Sequence, residues 1–190
     1  NYVGDDASKL GDVVTAFMNS SEIANREESA ISRLYASVFG RLPDKEGYEY
    51  WSDALQTDTL SLQQIADFFV GSTEFVNRFG ANPSSFELVN NMYINTLGRA
   101  PDVQGQMYWI DLLDRGILSV RDLLLNFTQS PEAIELMRPR VDTIYLHYKL
   151  LDRMPTALEF ASSTDVYAMT SSLVSNSDYV GPNPDQPTSV

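Results

Sequence analysis

Apolar residues recur every three or four positions along most of the chain, which is the spacing of an amphipathic helix. Runs of this kind lie near residues 10–17, 31–38, 65–69, 92–97 and 123–127. Between these runs, serine, glycine, proline and aspartate stand where helices would start and stop. The pattern predicts an all-α domain, a short-helix bundle of roughly nine to eleven helices.

One twelve-residue segment occurs twice. Residues 40–51 and residues 98–109 share the pattern G-R-x-P-D-x-x-G-x-x-Y-W, at a constant offset of 58 positions and without a gap. A repeat this strict predicts that both segments fold in the same way. The chain is therefore predicted to consist of tandem helical repeats.

Each residue type of this motif suits a connection between two helices. The first glycine fits the left-handed position that ends a helix, and the proline prevents that helix from continuing. The aspartate fits the N-cap of the next helix, and the second glycine falls near its third position, where a close backbone approach is expected. The Tyr-Trp pair one turn later is predicted to anchor this helix in the core. The structural residues are Gly40, Pro43, Asp44 and Gly47 in the first copy and Gly98, Pro101, Asp102 and Gly105 in the second.

A second signature, a capping residue followed two positions later by an acid, occurs near residues 20, 72, 130 and 176. The two signatures together define the repeats. They predict a partial N-terminal repeat at 1–28, repeat one at 29–80, repeat two at 81–138, a degenerate C-terminal repeat at 139–180 and a proline-rich linker at 181–190.

The degenerate repeat keeps only part of the motif. Arg153 and Pro155 hold their places, but Asp152 replaces the glycine, Thr156 replaces the aspartate and two serines replace the Tyr-Trp pair. Thr156 still forms the pattern of a capping box with Glu159. This copy is predicted to terminate the array of repeats.

The composition of the chain limits its possible partners more than it limits the fold. The formal net charge of −13 argues against nucleic-acid binding, which requires basic surfaces. The chain has no cysteine, so disulfides, thiol catalysis and cysteine-ligated zinc are excluded. No apolar run approaches the roughly 20 residues that span a bilayer. The first residue is Asn1 and not methionine, which favours a processed or excised segment.

Few residues are candidates for chemistry. His147 is the single histidine and is predicted to lie within a helix, so it gives no basis for a catalytic triad. Acids at helical spacing, at positions 46, 49 and 53 and at 111 and 114, suit a solvated helix face better than a calcium site or a hydrolase pair. No EF-hand, phosphate-loop or zinc spacing occurs. Neither catalytic residues, a metal site nor a cofactor is predicted, with bound calcium left open.

An arginine at each connection leaves two interpretations open. The arginines could cap carbonyls of the preceding helix or pair with Asp44 or Asp102, which would make them structural. Alternatively, the guanidinium groups and the aromatic pairs could line a groove for a saccharide or a peptide. The binding residues would then be Arg41, Arg99, Arg153, Tyr50, Trp51, Tyr108 and Trp109.

The motif and the helix that follows it resemble a known bacterial family. Residues 39–51 and 60–75, with the second copy at 97–132, are similar to the domain of unknown function 4214. That family resembles the helical linker domains of phycobilisomes and occurs in secreted and cell-surface bacterial proteins. The resemblance implies an extracellular interaction or assembly module and supplies no catalytic residues.

The expected function is therefore non-enzymatic, in a surface layer, a filament or an adhesin at the cell surface. The expected partners are other copies of the chain, other surface-protein subunits or envelope polysaccharide, with neither nucleic acid nor a membrane span. Two alternatives stay open: a phycobilisome-type linker in a larger complex, and an accessory domain of a secreted enzyme. The acidic charge disfavours the first alternative, because such linkers tend to be basic.

Overall fold

A computed structural model describes residues 27–161 of the chain. The predicted partial repeat at the N-terminus, most of the degenerate repeat and the proline-rich linker lie outside the described residues. Within them the chain contains α-helices, one π-helical segment and no β-strand. The described residues belong to two compact units, Glu27–Met137 and the residues from Arg138 onward. The prediction of an all-α repeat bundle is confirmed.

Repeat one and repeat two have the same order of helices, and every helix start is displaced by 58 positions. Repeat one contains α1 (Glu27–Leu34), which continues into a π-helical segment (Tyr35–Phe39), then α2 (Lys45–Gln56), α3 (Leu62–Val70) and α4 (Thr73–Phe79). Repeat two contains α5 (Ser85–Leu97), α6 (Val103–Asp114), α7 (Val120–Thr128) and α8 (Pro131–Leu151). A short helix, α9 (Ala157–Ala161), follows.

Side-chain caps fix where the helices begin. Ser61 accepts a hydrogen bond from the backbone N–H of Gln64, whose side chain accepts the N–H of Ser61, so a capping box starts α3. Ser72, Ser84 and Ser119 cap α4, α5 and α7 in the same way, each through the N–H three residues on. The helix starts are thus set locally by the sequence.

The core of the first unit forms where the two repeats pack on each other. Helix α1 packs on α2 and α5 on α6, while α3 packs on α7 and the π-helical segment packs on α5. Most of the apolar side chains that α1, α3, α5, α7 and the π-helical segment turn towards these contacts are buried. Each fully buried one contributes roughly 1.5–3 kcal/mol to folding. The most buried members are Ile31, Leu34, Val38, Ile65, Leu88, Val89, Met92, Leu123 and Leu124.

Polar bonds also join the two repeats. Arg33 is buried and donates to the carbonyl oxygen of Thr128 at 2.8 Å and to the side chain of Gln129 at 2.7 Å. It thereby satisfies the C-terminal end of α7, where carbonyl groups lack intrahelical partners. Burial lowers the pKa of Arg33 to about 10, which still leaves it charged at neutral pH. The side chain of Asn95 donates to the carbonyl oxygen of Ser37 at 3.0 Å.

The connections that follow the two repeats differ. Helix α4 ends at Gly80, whose φ of +84° is in the region that favours glycine, and Pro83 and Ser84 lead into α5. After repeat two, by contrast, α8 runs without a break through Pro139 for 21 residues. The predicted boundary between residues 138 and 139 therefore lies inside a helix.

In the second unit, α8 ends at a connection that keeps part of the motif geometry. Asp152, which holds the place of the motif glycine, has a φ of +51°, a conformation that aspartate tolerates better than most residues. Thr156 accepts the backbone N–H of Glu159, and the Glu159 side chain accepts the N–H of Thr156. This is the predicted capping box, and it starts α9.

Candidate functional site

The motif arginines of repeats one and two lie at equivalent places and bind equivalent acids. Arg41 donates twice to Glu74, from Nε to Oε1 at 2.7 Å and from Nη2 to Oε2 at 2.7 Å. Arg99 binds Glu132 in the same way at 3.2–3.5 Å. Each pair joins the connection after the first helix of a repeat to the first turn of its fourth helix, so the arginine ties two elements 33 residues apart.

A tyrosine of the first helix lies beneath each arginine. The guanidinium carbon of Arg41 is 5.0 Å from the ring centre of Tyr35, and that of Arg99 is 5.1 Å from the ring centre of Tyr93. Such cation–π contacts are worth roughly 0.5–1 kcal/mol at partly exposed sites. Arg41 also donates to the carbonyl oxygen of Leu42 at 2.8 Å. The Arg41 guanidinium therefore has an internal partner at each nitrogen.

These contacts shift the pKa values of the groups involved in repeat one. The hydrogen bond from Arg41 lowers the pKa of Glu74, and the same hydrogen bond raises the pKa of Arg41. Burial raises the pKa of Tyr35, although a hydrogen bond from Trp51 opposes that effect. Both members of the ion pair consequently stay charged at neutral pH.

The aspartate of each motif copy caps the second helix, as predicted. Asp44 accepts the backbone N–H of Gly47 at 2.8 Å, and Asp102 accepts that of Gly105 at 2.8 Å. The bond from Gly105 lowers the pKa of Asp102. Before the cap, Gly40 and Gly98 have φ values of +63° and +64°, the predicted left-handed geometry.

The second glycine of the motif permits a close approach of two helices. A Cβ atom added at Gly47 would lie 2.7 Å from the hydroxyl oxygen of Tyr35, and one at Gly105 would lie 2.4 Å from that of Tyr93. Contacts this short do not occur with real side chains. The motif therefore requires glycine at these positions because a tyrosine of the first helix occupies the space.

Aromatic rings pack beside the glycine. Phe69 lies between Tyr35 and Trp51, with ring centres 4.9 Å and 5.9 Å away. In repeat two, Phe127 lies between Tyr93 and Trp109, with ring centres 5.0 Å and 5.2 Å away. Both phenylalanines are buried, so this cluster forms the apolar base under each arginine.

One part of the prediction for the Tyr-Trp pairs is wrong. The tryptophans are half-buried against the cluster, but Tyr50 and Tyr108 are mostly exposed and do not anchor their helices in the core. The reason is helical geometry. Gly47 and Trp51 are four residues apart and share one face, whereas the residue before Trp51 lies about 100° around the helix from it.

Arg153 differs from the other two motif arginines. It binds Glu159 at 2.7 Å and 3.0 Å, six residues along the chain, and donates to the carbonyl oxygen of Met154 at 3.0 Å. Arg153 therefore binds an acid of the next helix, whereas Arg41 binds one 33 residues away. The three arginines of the hypothetical groove are each engaged with an acid, and their use in ligand binding stays a prediction.

Two further ionisable groups lie on α8. His147 is buried, with Nδ1 donating to the carbonyl oxygen of Thr143 at 2.8 Å and Nε2 at 3.3 Å from Glu159. The hydrogen bond from Arg153 contributes most to lowering the pKa of Glu159. Burial raises the pKa of Asp142 to about 7, and Arg138 opposes this shift.

Sequence reasoning missed the partners of the arginines. In the sequence, Glu74 and Glu132 stand out only as the acids of the capping signature, and Tyr35 and Tyr93 only as members of apolar runs. All four obey the offset of 58 positions, which is the signal that could have grouped them with the motif. The spacing alone could not show that they meet the arginine in space.

A cavity of about 410 Å³ lies in the first unit beside the loop after α4, and its lining includes Val76, Leu88 and Leu113. Its serines, Ser85 and Ser119, already bind Asp114 and Asp122. Between residues 27 and 161, no group of three or more His, Asp or Glu side chains could hold a metal ion. None of the helices described is both long and apolar enough to cross a membrane.

The match to a protein family covers more of the chain than the repeated motif does. Two overlapping stretches, residues 14–77 and 66–137, match the family model described as a domain of unknown function, DUF4214. Together these stretches cover well over half of the 190 residues. No curated protein and no solved structure matches the chain. On the strength of the two family matches, the chain belongs to the DUF4214 family.

Proposed function

We propose that the protein is a non-enzymatic interaction module that assembles with copies of itself, or with other subunits, at a bacterial surface. In this proposal, the helical repeats hold a contact surface in a fixed position. The two alternatives, the phycobilisome-type linker and the enzyme accessory domain, have no specific observation in their favour.

The use of the motif residues supports a structural role for them. In each copy the arginine binds a glutamate, the aspartate caps a helix and the glycine leaves space for a tyrosine. The polar groups of the motif therefore already have partners within the protein. The duplicated motif is thus best explained as a device that fixes the helices of each repeat.

The observation that carries the proposal is the number of large apolar side chains left in contact with solvent. They occur on helices of both repeats and concentrate in repeat two, where α6 has no fully buried residue. Contiguous apolar surface on a soluble protein commonly marks a site of protein–protein contact. The exposed set is Tyr50, Phe68, Val76, Phe86, Ile94, Val103, Met107, Tyr108, Ile117, Leu136 and Leu158.

The acidic charge fits a role in which solution conditions control assembly. Copies that each carry a formal charge of −13 repel one another at low ionic strength. Salt or calcium would weaken this repulsion by screening. Placement outside the cell is part of the proposal and is supported by the acidic composition and by the resemblance to a family found in secreted proteins.

Light scattering on the whole chain tests the proposal. The average mass should increase with protein concentration, and it should increase further when sodium chloride or calcium chloride is added. Magnesium chloride at matched ionic strength separates general screening from a calcium-specific effect. A monomeric mass at every protein and salt concentration would contradict self-assembly.

A further inference from the structure

We infer that two copies of this chain associate face to face through one surface of repeat two, the outer face of helices α5 and α6. The outer face consists of Phe86 and Ile94 on α5 and Val103, Met107 and Ile110 on α6. This inference rests on the proposed function, because it names the contact through which self-assembly would begin.

Two hydrogen bonds show how α5 and α6 lie against each other. Gln106 donates to the side chain of Asn90 at 3.0 Å, and Ser85 donates to that of Asp114 at 2.6 Å. The helices are therefore antiparallel. Their register places Phe86 level with Ile110 and Ile94 level with Val103.

The residues from α6 also share one side of their helix. Val103, Met107 and Ile110 are spaced at i, i+4 and i+7, which defines a single helical face. Together with the two residues from α5 they surround the bond between Gln106 and Asn90. The outer face is thus one apolar surface with a small polar centre.

This surface is open to solvent. Phe86, Ile94, Val103 and Met107 have between 56% and 72% of their area exposed. Ile110 is half-buried. None of the five side chains carries a charge. Nearby acids are partly neutralised, since Asp111 binds Arg115 at 2.9 Å.

The equivalent positions of repeat one differ from the outer face in residue type and in exposure. Subtracting 58 from Phe86, Asn90, Ile94, Gln106 and Ile110 gives Glu28, Ser32, Ala36, Tyr48 and Ser52. All five of these residues are buried, with between 1% and 8% of their area exposed. Much of this face is therefore buried in repeat one, although Lys45 and Glu49, at the positions of Val103 and Met107, stay partly exposed there. In repeat two the face carries larger apolar side chains and remains open.

The remaining two positions differ in charge. Val103 and Met107 correspond to Lys45 and Glu49, which form an ion pair at 3.8 Å. Repeat two thus replaces a charged pair with two exposed apolar side chains. Such a replacement lowers solubility unless the surface is covered, so a cover is expected.

A second copy of the same face is the occupant that these observations favour. An uncharged apolar surface is best covered by another apolar surface, and the outer face of a second copy supplies one. A two-fold axis through the face buries both copies in a single contact. A basic partner is disfavoured because the five side chains offer no acid to pair with it.

The size of the contact predicts a weak association. Five apolar side chains per copy are fewer than the roughly 20–30 residues per partner of a standard interface. The net charge of −13 on each copy also opposes the contact. Association should therefore appear at high protein concentration and strengthen as salt is added, because screening reduces the repulsion.

Sedimentation of the whole chain with single substitutions tests the outer face. Met107→Glu and Val103→Glu each place a negative charge on both sides of the two-fold contact, so each should weaken association at least about tenfold. The matched control is Phe68→Glu, which introduces the same charge at an exposed aromatic residue on α3 of repeat one. The control should associate as the unchanged chain does. Circular dichroism verifies that each variant is folded.

A cysteine experiment tests the two-fold geometry, since the chain contains no cysteine of its own. Met107→Cys should form a disulfide-linked dimer under mild oxidation, and Phe68→Cys should not. If the unchanged chain associates but Met107→Glu associates equally well, the outer face is not the contact and the proposed assembly function stands. If the unchanged chain never associates, self-assembly fails and the face-to-face contact fails with it. Equal crosslinking of both cysteine variants would also overturn the face-to-face contact.

Discussion

Repeat one and repeat two share the geometry of their connections and differ on their outer faces. In both, an arginine binds a glutamate 33 positions away, an aspartate caps the second helix and a glycine admits a tyrosine. Yet repeat one buries much of a face that repeat two leaves exposed. The motif therefore fixes the internal arrangement of a repeat, while positions outside the motif decide which side chains the repeat exposes.

The ends of the two repeats differ as well. Gly80 and Pro83 separate α4 from α5, but the corresponding residues after repeat two are Arg138 and Val141, and the helix continues. Pro139 does not break α8, although a proline inside a helix removes one backbone hydrogen bond. A single proline is therefore a weaker stop signal here than a glycine in the left-handed region followed by a proline and a capping serine.

The largest expected effect on stability comes from the aromatic clusters of the two repeats. Phe69→Ala and Phe127→Ala should each lower the free energy of unfolding by about 3–5 kcal/mol, because a buried ring leaves a cavity. The loss should be larger at Phe69, which also stacks on Phe39 at 5.2 Å, whereas Leu97 stands at that place in repeat two. Urea unfolding measures both values. Equal losses would show that the third ring adds nothing to the cluster of repeat one.

A pH experiment compares two equivalent positions, one after each repeat, for their effect on stability. Ser84 caps α5, and the residue 58 positions on is Asp142, buried inside α8 with a pKa raised to about 7. Since folding raises this pKa, the folded state binds the proton more tightly, and Asp142 costs stability as the pH rises from about 4 to 7. Asp142→Asn should be more stable than the unchanged chain at pH 8, by on the order of a few kcal/mol, and the difference should shrink towards pH 4.

Thermal unfolding from pH 4 to pH 8 measures this difference. Ser84→Ala is the matched control, because loss of a cap should cost about 1 kcal/mol at every pH in that range. A pH-independent difference for Asp142→Asn would mean that the buried carboxyl is not the group that titrates.

The two motif glycines provide a finer comparison. Gly105→Ala should lower the free energy of unfolding by about 1–3 kcal/mol through the contact with Tyr93, despite the better helix propensity of alanine. Gly47→Ala should cost less, because the corresponding distance to Tyr35 is longer.

Tyr93→Phe removes the hydroxyl that the new methyl group would meet, so it should restore most of the stability of Gly105→Ala. In repeat one the rescue by Tyr35→Phe should be weaker, because that change also removes the hydrogen bond from Trp51. A lack of rescue in repeat two would show that the tyrosine is not the reason for the glycine. Urea unfolding of the single and double variants supplies these values.

The smallest expected effect is the difference in coupling energy between the two ion pairs, Arg41–Glu74 and Arg99–Glu132. A double-mutant cycle of Arg41→Ala and Glu74→Ala should give a coupling of about 0.5–1 kcal/mol, and the cycle of Arg99 with Glu132 should give less. Both pairs are partly exposed, but the first has shorter distances. Because Arg41 lowers the pKa of Glu74, the coupling should be present at neutral pH and disappear as the pH falls and the carboxyl is protonated. A larger coupling at Arg99 would contradict the order given by the geometry.

Much of each repeat could be predicted from the sequence because the signals are local. The left-handed glycines, the aspartate caps and the capping box at Ser61 all depend on backbone geometry within a few residues. The bounds of α2, residues 45–56, follow from the cap at Asp44 and the turn after Gln56. The exposure of Tyr50 and Tyr108 was missed, since aromatic character predicts burial but does not specify which side of the helix faces the core.

By itself, the sequence determined the repeat, its period of 58 positions and its helix starts, because these depend on residue types at fixed spacings. Only the tertiary structure decided that the motif arginine meets a glutamate 33 positions away and that a tyrosine requires the motif glycine. It also decided that much of one face is buried in repeat one and that the equivalent face is open in repeat two. The physical reason is that caps and turns are short-range interactions, whereas burial depends on which distant segments of the chain cover a surface.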